Sequence, residues 1–391
     1  VVVYTAELSP DGRSVVSTGD QVAEGASDAE GRFSIDLPGP GDYAVQVQVD
    51  SLPEGVTLVD PERETLAIRL TANQRSNVLF NLAEGDAASS GSTRDSRFDR
   101  AARLTFDGIK FGLIIGLCAV GLSLIYGTTG LVNFAHGEMI TLGAVFTFFF
   151  NVTLGIQLIG ATILGMAAGG LFGAGLDRGL WRPLRKRGIG LIAMMIVSIG
   201  LAIFLRYAIL YQFGDRTRPY DDYAVQSKPM FSIGPVNVIP KDFIIVVVSL
   251  AVLIGVGLLM RRTKLGKAMR AVSDNTDLAA STGIDVNKVI TLVWFMAGVL
   301  VTLGGVFQGL SQGVQWTMGF ELLLLVFAGV TLGGLGTDFG AMVGSLIVGV
   351  LVYVSTVYIA PELKNVGALV VLILILMVRP QGIFGRKERI G

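Results

Sequence analysis

Residues 122–144 read LSLIYGTTGLVNFAHGEMITLGA. The run is apolar at both ends and too long for a β-strand. Gly127 and Gly130 interrupt it, and Asn133, His136 and Glu138 then follow inside it. An ionisable residue at membrane depth is costly, so it faces protein or a water-filled cavity rather than lipid. Broken backbone at that depth is tolerated under the same conditions. Two readings follow. In one, the run is a half-helix bordering a solute pathway, with Tyr126, Asn133, His136 and Glu138 on that pathway. In the other, Asn133 and His136, three apart and so on one helix face, bond a neighbouring helix and hold it in place.

The rest of the chain agrees that this run is bounded by membrane segments. Of its 391 residues 51% are hydrophobic and only 16% charged, with a mean hydropathy of +0.63; a soluble domain is about 25% charged. A helix needs about 20 mostly apolar residues to cross a bilayer. Suitable stretches lie at 109–126, 132–152, 156–176, 189–212, 243–260, 289–311, 320–335, 340–359 and 366–379. The expected fold is therefore a polytopic α-helical membrane protein of about nine transmembrane segments. With nine crossings, segments 178–188, 261–288 and 379–391 share one side and carry 15 Lys/Arg. The opposite segments 213–242, 312–319 and 360–365 carry 5, so the first set is expected in the cytoplasm. The amino-terminal region is then outside and the carboxyl terminus inside.

Residues 101–391 contain 42 glycines, which let helices approach closely where the hydrophobic effect gives little. A second glycine-rich interruption, VTLGGLGTDFGAMVGS at 330–345, places Gly333, Gly334 and Gly336 between apolar stretches. Paired interruptions in two halves point to a binding site at a repeat interface in many transporters. A tight turn between two helices explains the same residues, and both readings stay open. The loop 261–288 reads helically, with Leu265, Met269 and Val272 three or four apart, a break at Asp274 or Asn275, and a stop at Gly283. It is long for a topology signal and amphipathic enough to dock on a partner.

The first 100 residues are a different object: 8 Arg, no Lys and 17 Asp/Glu. Phe33, Ile35 and Leu37 alternate with polar residues, as do Tyr43, Val45, Val47 and Val49, which predicts half-buried strands. Val1 to Leu8, Leu66 to Leu70 and Val78 to Leu82 add further strands. Turns are expected at Pro10–Gly12, Glu30–Gly31 and Pro38–Gly41. The expectation is a small all-β sandwich domain at 1–82, a Gly/Ala/Ser linker at 83–103 and a transmembrane domain at 104–391. The chain opens on Val1 rather than Met and reads as processed, trimmed or truncated.

Function classes narrow accordingly. A lone Cys118 and a lone His136 exclude an internal disulfide framework and a histidine-built metal site within one chain. No G-x-x-x-x-G-K-[ST] is present, so the chain does not cradle ATP by a P-loop. No catalytic nucleophile accompanies His136 and Glu138, and no feature points to nucleic acid.

The stretch DAEGRFSIDLPGPGDYAVQV (28–47) resembles the carboxypeptidase-regulatory-like family of Ig-like bacterial modules. Residues 104–386 resemble the inner-membrane permeases of branched-chain amino acid ABC transporters, the LivH/LivM family. The resemblance rests on LSLIYGTTGLVNFAHGEMITLGA, TKLGKAMRAVSDNTDLAASTGI (263–284), TLGGLGTDFGAMVGS (331–345) and VRPQGIFG (378–385), in that order. It implies a multi-pass subunit of the bacterial plasma membrane that moves leucine, isoleucine or valine, with urea or short amides as the alternative cargo. It implies a cytoplasmic coupling loop, with Ala279, Ala280 and Gly283 in its Ala-Ala-x-x-Gly core and Gly266, Ala268 and Arg270 upstream. Implied partners are ABC ATPase subunits that bind the ATP, a second permease subunit (identical or homologous), an extracytoplasmic substrate-binding protein and membrane lipid. No cofactor is expected in this chain. Relatives often carry Lys where this chain has Leu325. Two rival classes, a membrane receptor and a passive channel, are separated from an importer by whether the 261–288 loop couples to ATP hydrolysis.

Overall fold

The computed structural model describes residues 1–9, 15–27, 33, 35–53, 56–58, 64–70, 78, 80, 82–84, 97–223, 229–357, 366, 369–370, 373, 377 and 382–384. The chain divides into two units, Val1–Ser96 and Arg97–Gly391.

In the first unit β1 (Val2–Leu8), β2 (Val15–Glu24), β3 (Gly41–Gln46) and β5 (Thr65–Leu70) form an antiparallel sheet in the order β2-β1-β3-β5. Short strands β4 (Val56–Leu58) and β6 (Leu82–Glu84) pair separately. Val3 lies opposite Val45 in the ladder, and with Tyr43 they centre the core. Alternation mispredicts the strands in four places. β3 stops at Gln46, so Val47 lies beyond it and Val49 opens a 3-10 turn at Val49–Ser51. Ala44 is as buried as Tyr43 and Val45, so β3 is covered on both faces rather than one. Phe33 and Ile35–Leu37 are not in a strand, although Ile35 and Leu37 pack on the core. Val78 and Phe80 likewise pack there outside any strand. An apolar period of two fixes which side chains point inward but does not supply a ladder partner. The edge strand β2 gives no such period because most of it is exposed. The expected turns at 10–12 and 30–31 lie outside the described residues.

The second unit opens with α1 (Arg97–Thr129), which takes in residues expected to belong to the linker. α2 (His136–Phe148) is prolonged by a π turn at Phe149–Thr153. α3 (Leu158–Leu176) continues through a π turn at Asp177–Trp181 into α4 (Arg182–Lys186). Then come α5 (Leu191–Phe213), the hairpin β7 (Phe231–Ile233) and β8 (Val236–Val238), and α6 (Pro240–Arg262). The loop after it holds α7 (Lys264–Asp274) and α8 (Thr276–Ser281), and α9 (Val286–Gln312), α10 (Met318–Gly333) and α11 (Asp338–Val354) complete the series. Among the described residues 6 helices are long and apolar enough to cross a membrane. The stretches at 132–152 and 320–335 form the shorter α2 and α10. The stretch at 366–379 lies mostly outside the described residues, where Val366, Leu369, Val370, Ile373 and Met377 are helical.

Polar contacts sort the loops into two ends. At one, Asn151 binds Asp222, Arg218 pairs with Val314, and the Tyr220 hydroxyl donates to the Ala144 carbonyl. At the other, the Ser273 hydroxyl donates to the Gly127 carbonyl, and Ile383 and Phe384 donate backbone N–H groups to the Leu332 and Gly333 carbonyls. Those last two bonds satisfy carbonyls that the end of α10 leaves open.

Close approach through glycine holds the helices together. Gly298 of α9 lies on Gly169 and Gly170 of α3, and Gly349 of α11 on Gly112 of α1. A Cβ at Gly298 would overlap the Gly169 carbonyl, whereas Gly255 on α6 has open space. Gly298→Ala is therefore expected to lower the thermal midpoint of the detergent-purified protein, by about 1–3 kcal/mol of overpacking. Gly255→Ala leaves the midpoint unchanged or slightly raised. Equal midpoints for both variants would contradict the close α3–α9 contact.

Candidate functional site

After Thr129 the chain leaves the helix and turns back along α1. The His136 ring nitrogen Nε2 lies 2.8 Å from the Cys118 carbonyl. Cys118 is 11 residues before the end of α1, so α2 begins about 16 Å back along the bundle. The connecting segment is buried there, with Leu131, Asn133 and Ala135 at 1%, 0% and 0% exposure. Three of its backbone donors find side-chain partners. Leu131 donates to the Thr129 hydroxyl, Phe134 to the Ser198 hydroxyl of α5, and Ala135 to Asn133 Oδ1 at 3.1 Å. The Asn133 carbonyl in turn accepts from His136 N–H. Asn133 and His136 thus make the start of α2 and tie it to α1.

A mirror-like arrangement brings α10 to the same depth. Residues 313–317 run in from the end of α9, and Gly319 N–H donates to Thr141 Oγ1 at 3.1 Å. Gly137 and Gly319 touch backbone to backbone, and Leu323 reaches Gly137. The two short helices run in opposite directions and overlap by their first turns. Helix amino termini carry partial positive charge. Two meet here.

Beside this crossing sits an ion pair. Arg206 of α5 donates from Nε to Glu138 Oε1 at 2.9 Å, and its Nη2 lies 2.8 Å from the same oxygen. Its guanidinium lies 3.8 Å from the centre of the Phe320 ring of α10, a cation–π contact. Glu138 is 1% exposed and Arg206 19%, so the pair opens on the arginine side. Glu138 Oε2 is buried without a partner among the described residues. The surface around Arg206 mixes apolar and polar groups: Tyr207, Phe320 and Leu324 are exposed, as is Glu321. By contrast the exposed residues of α6 between 243 and 258, including Ile244, Val247, Leu250, Ile254 and Leu258, are all apolar.

The other candidate pathway residues lie elsewhere. Tyr126 is eight residues beyond Cys118, about 12 Å along α1. There it meets Gly336, and Gly127 meets Gly336 and Ser273. Gly333 closes α10 against Gly340 of α11, and Gly334 and Gly336 have φ of +107° and +77°. These glycines form a tight turn and do not join Asn133, His136 and Glu138 at the crossing. Arg206 escaped the sequence reading, although it is the one charge inside LIAMMIVSIGLAIFLRYAILYQF.

The loop 261–288 folds into two helices joined at Asn275. Asn275 Oδ1 accepts from Leu278 N–H at 2.9 Å, and Thr263 Oγ1 caps α7 by accepting from Gly266 N–H at 3.1 Å. Gly266 abuts the Met260 backbone, and Arg270 donates to the Met260 carbonyl. Met269, Val272 and Ala279 are buried, Ala268 is half-buried, and Leu278, Ala280 and Gly283 are exposed. Gly283 stops α8 with φ +86°. The α7–α8 elbow is thus fastened to α6 and, through Ser273, to α1, with its far tip bare.

Removing Arg206 alone leaves a buried carboxylate unpaired. Arg206→Met is expected to destabilise the purified protein by about 3 kcal/mol or more. The double variant Glu138→Gln/Arg206→Met recovers much of that loss in the same unfolding measurement. Additive losses would show that the pair is not coupled.

Residues 104–377 match the family described as branched-chain amino acid transport system / permease component. The high-affinity branched-chain amino acid transport system permease protein LivH of Salmonella typhimurium is 31% identical over 299 residues, covering 72% of this chain and 95% of that protein. The corresponding protein BraD of Pseudomonas aeruginosa is 30% identical over 294 residues, with the same coverage of 72% and 95%. A solved structure, PsaBC from Streptococcus pneumoniae in complex with Fab, aligns with 70% of this chain and 91% of its own at 15% identity and a TM-score of 0.41. By its match across most of its length, this chain belongs to the branched-chain amino acid transport system permease family.

Proposed function

We propose that this chain is the transmembrane permease subunit of an ABC importer that moves leucine, isoleucine or valine inward across the bacterial plasma membrane. ATP is hydrolysed on partner ATPase subunits, and an extracytoplasmic binding protein delivers the substrate to a pair of permease subunits. The names of the relatives supply the substrate class. The observation that carries the mechanism is the α7–α8 elbow, because a displacement of its bare tip passes through Met260 into α6 and through Ser273 into α1. Gly266, Ala268 and Arg270 fasten the elbow, while Ala279, Ala280 and Gly283 shape the end offered to the ATPase. The cation-rich segments 178–188 and 261–288 share an end with this elbow, which supports a cytoplasmic location for it and an outside location for the β domain.

The pathway is assigned to the face of α5 and α10 that carries Arg206 and Phe320, with the face of α6 turned to lipid. An amino acid zwitterion carries one ammonium and one carboxylate. Arg206, on the open side of its pair with Glu138, and the meeting helix amino termini offer positive charge to the carboxylate at one depth. Asn133 and His136 serve by holding the irregular backbone in place, and Tyr126 with the Gly333–Gly336 turn links the crossing to the elbow's end of the bundle.

The test is uptake of labelled leucine, with labelled urea in parallel, in cells lacking this chain and in cells rescued with it. Loss and rescue of leucine uptake alone is expected. The Gly283→Val variant is expected to be present in the membrane at normal level yet to transport little, because φ +86° strains a β-branched residue. Loss of urea uptake alone would contradict the cargo. Transport at the normal rate by Gly283→Val would contradict the coupling.

A further inference from the structure

A second polar site lies away from the crossing, where α3 runs through its π turn into α4 beside the start of α9. A cavity of about 480 Å³ opens there between the two helices. Its floor is cationic: Arg178, Arg182 and Lys288 line it, with Asp285 as the one acid. The Lys288 backbone N–H and then its ammonium hold the Asp285 carboxyl below the usual carboxylate range, so the floor keeps a surplus of two positive charges. Asp177 does not neutralise them. It is fully buried and occupied by Arg185 at 2.5 Å and by the Thr291 hydroxyl at 2.6 Å. Arg182 Nε is buried without an acceptor among the described residues, a donor desolvated and unused.

The walls above that floor are apolar. Leu171, Leu292 and Phe295 continue the cavity along the bundle, and Leu171 stands seven residues before Arg178, about 10 Å along α3. Leu171 and Leu292 are exposed, as are Ile163 and Leu164 further along the same helix. The opening therefore lies on an exposed apolar face of the bundle, with its cations at one end of that face. A soluble anion has no use for such walls, and a neutral lipid has no use for the cations.

We propose that this cleft binds an anionic phospholipid, its phosphodiester against Arg178, Arg182 and Lys288 and its acyl chain along Leu171, Leu292 and Phe295. The site sits beside the start of α9, which follows the α7–α8 elbow directly in the chain.

Two of the three tryptophans, Trp181 and Trp294, are stacked behind this cleft with ring centroids 5.8 Å apart, which supplies the probe. The full chain with Trp316→Phe is purified in detergent and titrated with phosphatidylglycerol or phosphatidylcholine carrying brominated chains, and tryptophan quenching is read. Phosphatidylglycerol is expected to quench saturably at a concentration at least tenfold below phosphatidylcholine. Adding Arg182→Gln and Lys288→Gln is expected to abolish about tenfold or more of that preference while leaving phosphatidylcholine quenching unchanged, which also reports an intact fold. Three results would overturn the proposal: equal quenching by the two lipids, which assigns the cations to a protein partner; a preference that survives the double substitution; or displacement of the lipid by millimolar glycerol 3-phosphate, which makes the site one for a free phosphate ester. If the double variant does not fold, the unsubstituted protein's lipid preference and the glycerol phosphate competition decide the matter alone.

Discussion

Backbone that leaves a helix within a bilayer must be buried in protein or line a water-filled cavity. The segment between α1 and α2 meets that constraint with a handful of side chains: Thr129 at its start, Ser198 from α5, and Asn133 within it. His136 then ties the new helix to the Cys118 carbonyl. Because the segment is held, α2 starts deep rather than at the surface, and its first turn is free to meet that of α10. The contact needs Gly137 and Gly319, since any side chain at either would occupy the other's backbone. The Arg206–Glu138 pair depends on the same arrangement, because only a helix starting at that depth brings Glu138 to the middle of α5.

Rigidity and exposure are divided along the chain in a way that suits transmission. The α7–α8 elbow buries Met269, Val272 and Ala279 and leaves Leu278 and Ala280 bare. Its attachments include two short ones, Gly266 packed directly on the Met260 backbone of α6 and the Ser273 hydroxyl on the Gly127 carbonyl of α1, beside the longer Arg270 side chain on the Met260 carbonyl. Gly127 also adjoins Gly336, in the turn between α10 and α11. Contacts thus run without a gap from the elbow through α1 to the α10–α11 turn.

Local chemistry made some of this legible in the sequence. Asn275 as a helix break and Gly283 as a stop were readable because caps and stops act within a few residues. The broken run at 122–144 was readable because glycine and ionisable residues inside apolar sequence have few explanations. What was not readable depends on partners distant in sequence. Arg206 stood plainly in an apolar helix, but no local rule names Glu138, 68 residues away, as its partner. For Asn133 and His136 the sequence allows pathway or packing alike, and no local rule names the Cys118 carbonyl, 18 residues away, as the partner of His136. In the β unit, Ile35, Leu37, Val78 and Phe80 announced their burial but not their lack of a ladder, since pairing is decided by other strands.

The account turns on which surface of the bundle meets water. Thiol accessibility measures that directly: the Phe320→Cys and Ile254→Cys variants, in membranes with the partner subunits present, are exposed to a membrane-impermeant cationic thiol reagent with and without leucine. The account predicts that the Phe320→Cys variant reacts and that leucine with the binding protein changes its rate, while the Ile254→Cys variant on α6 stays unmodified. Silence at Phe320→Cys together with reaction at Ile254→Cys would place the pathway on the other face and contradict it.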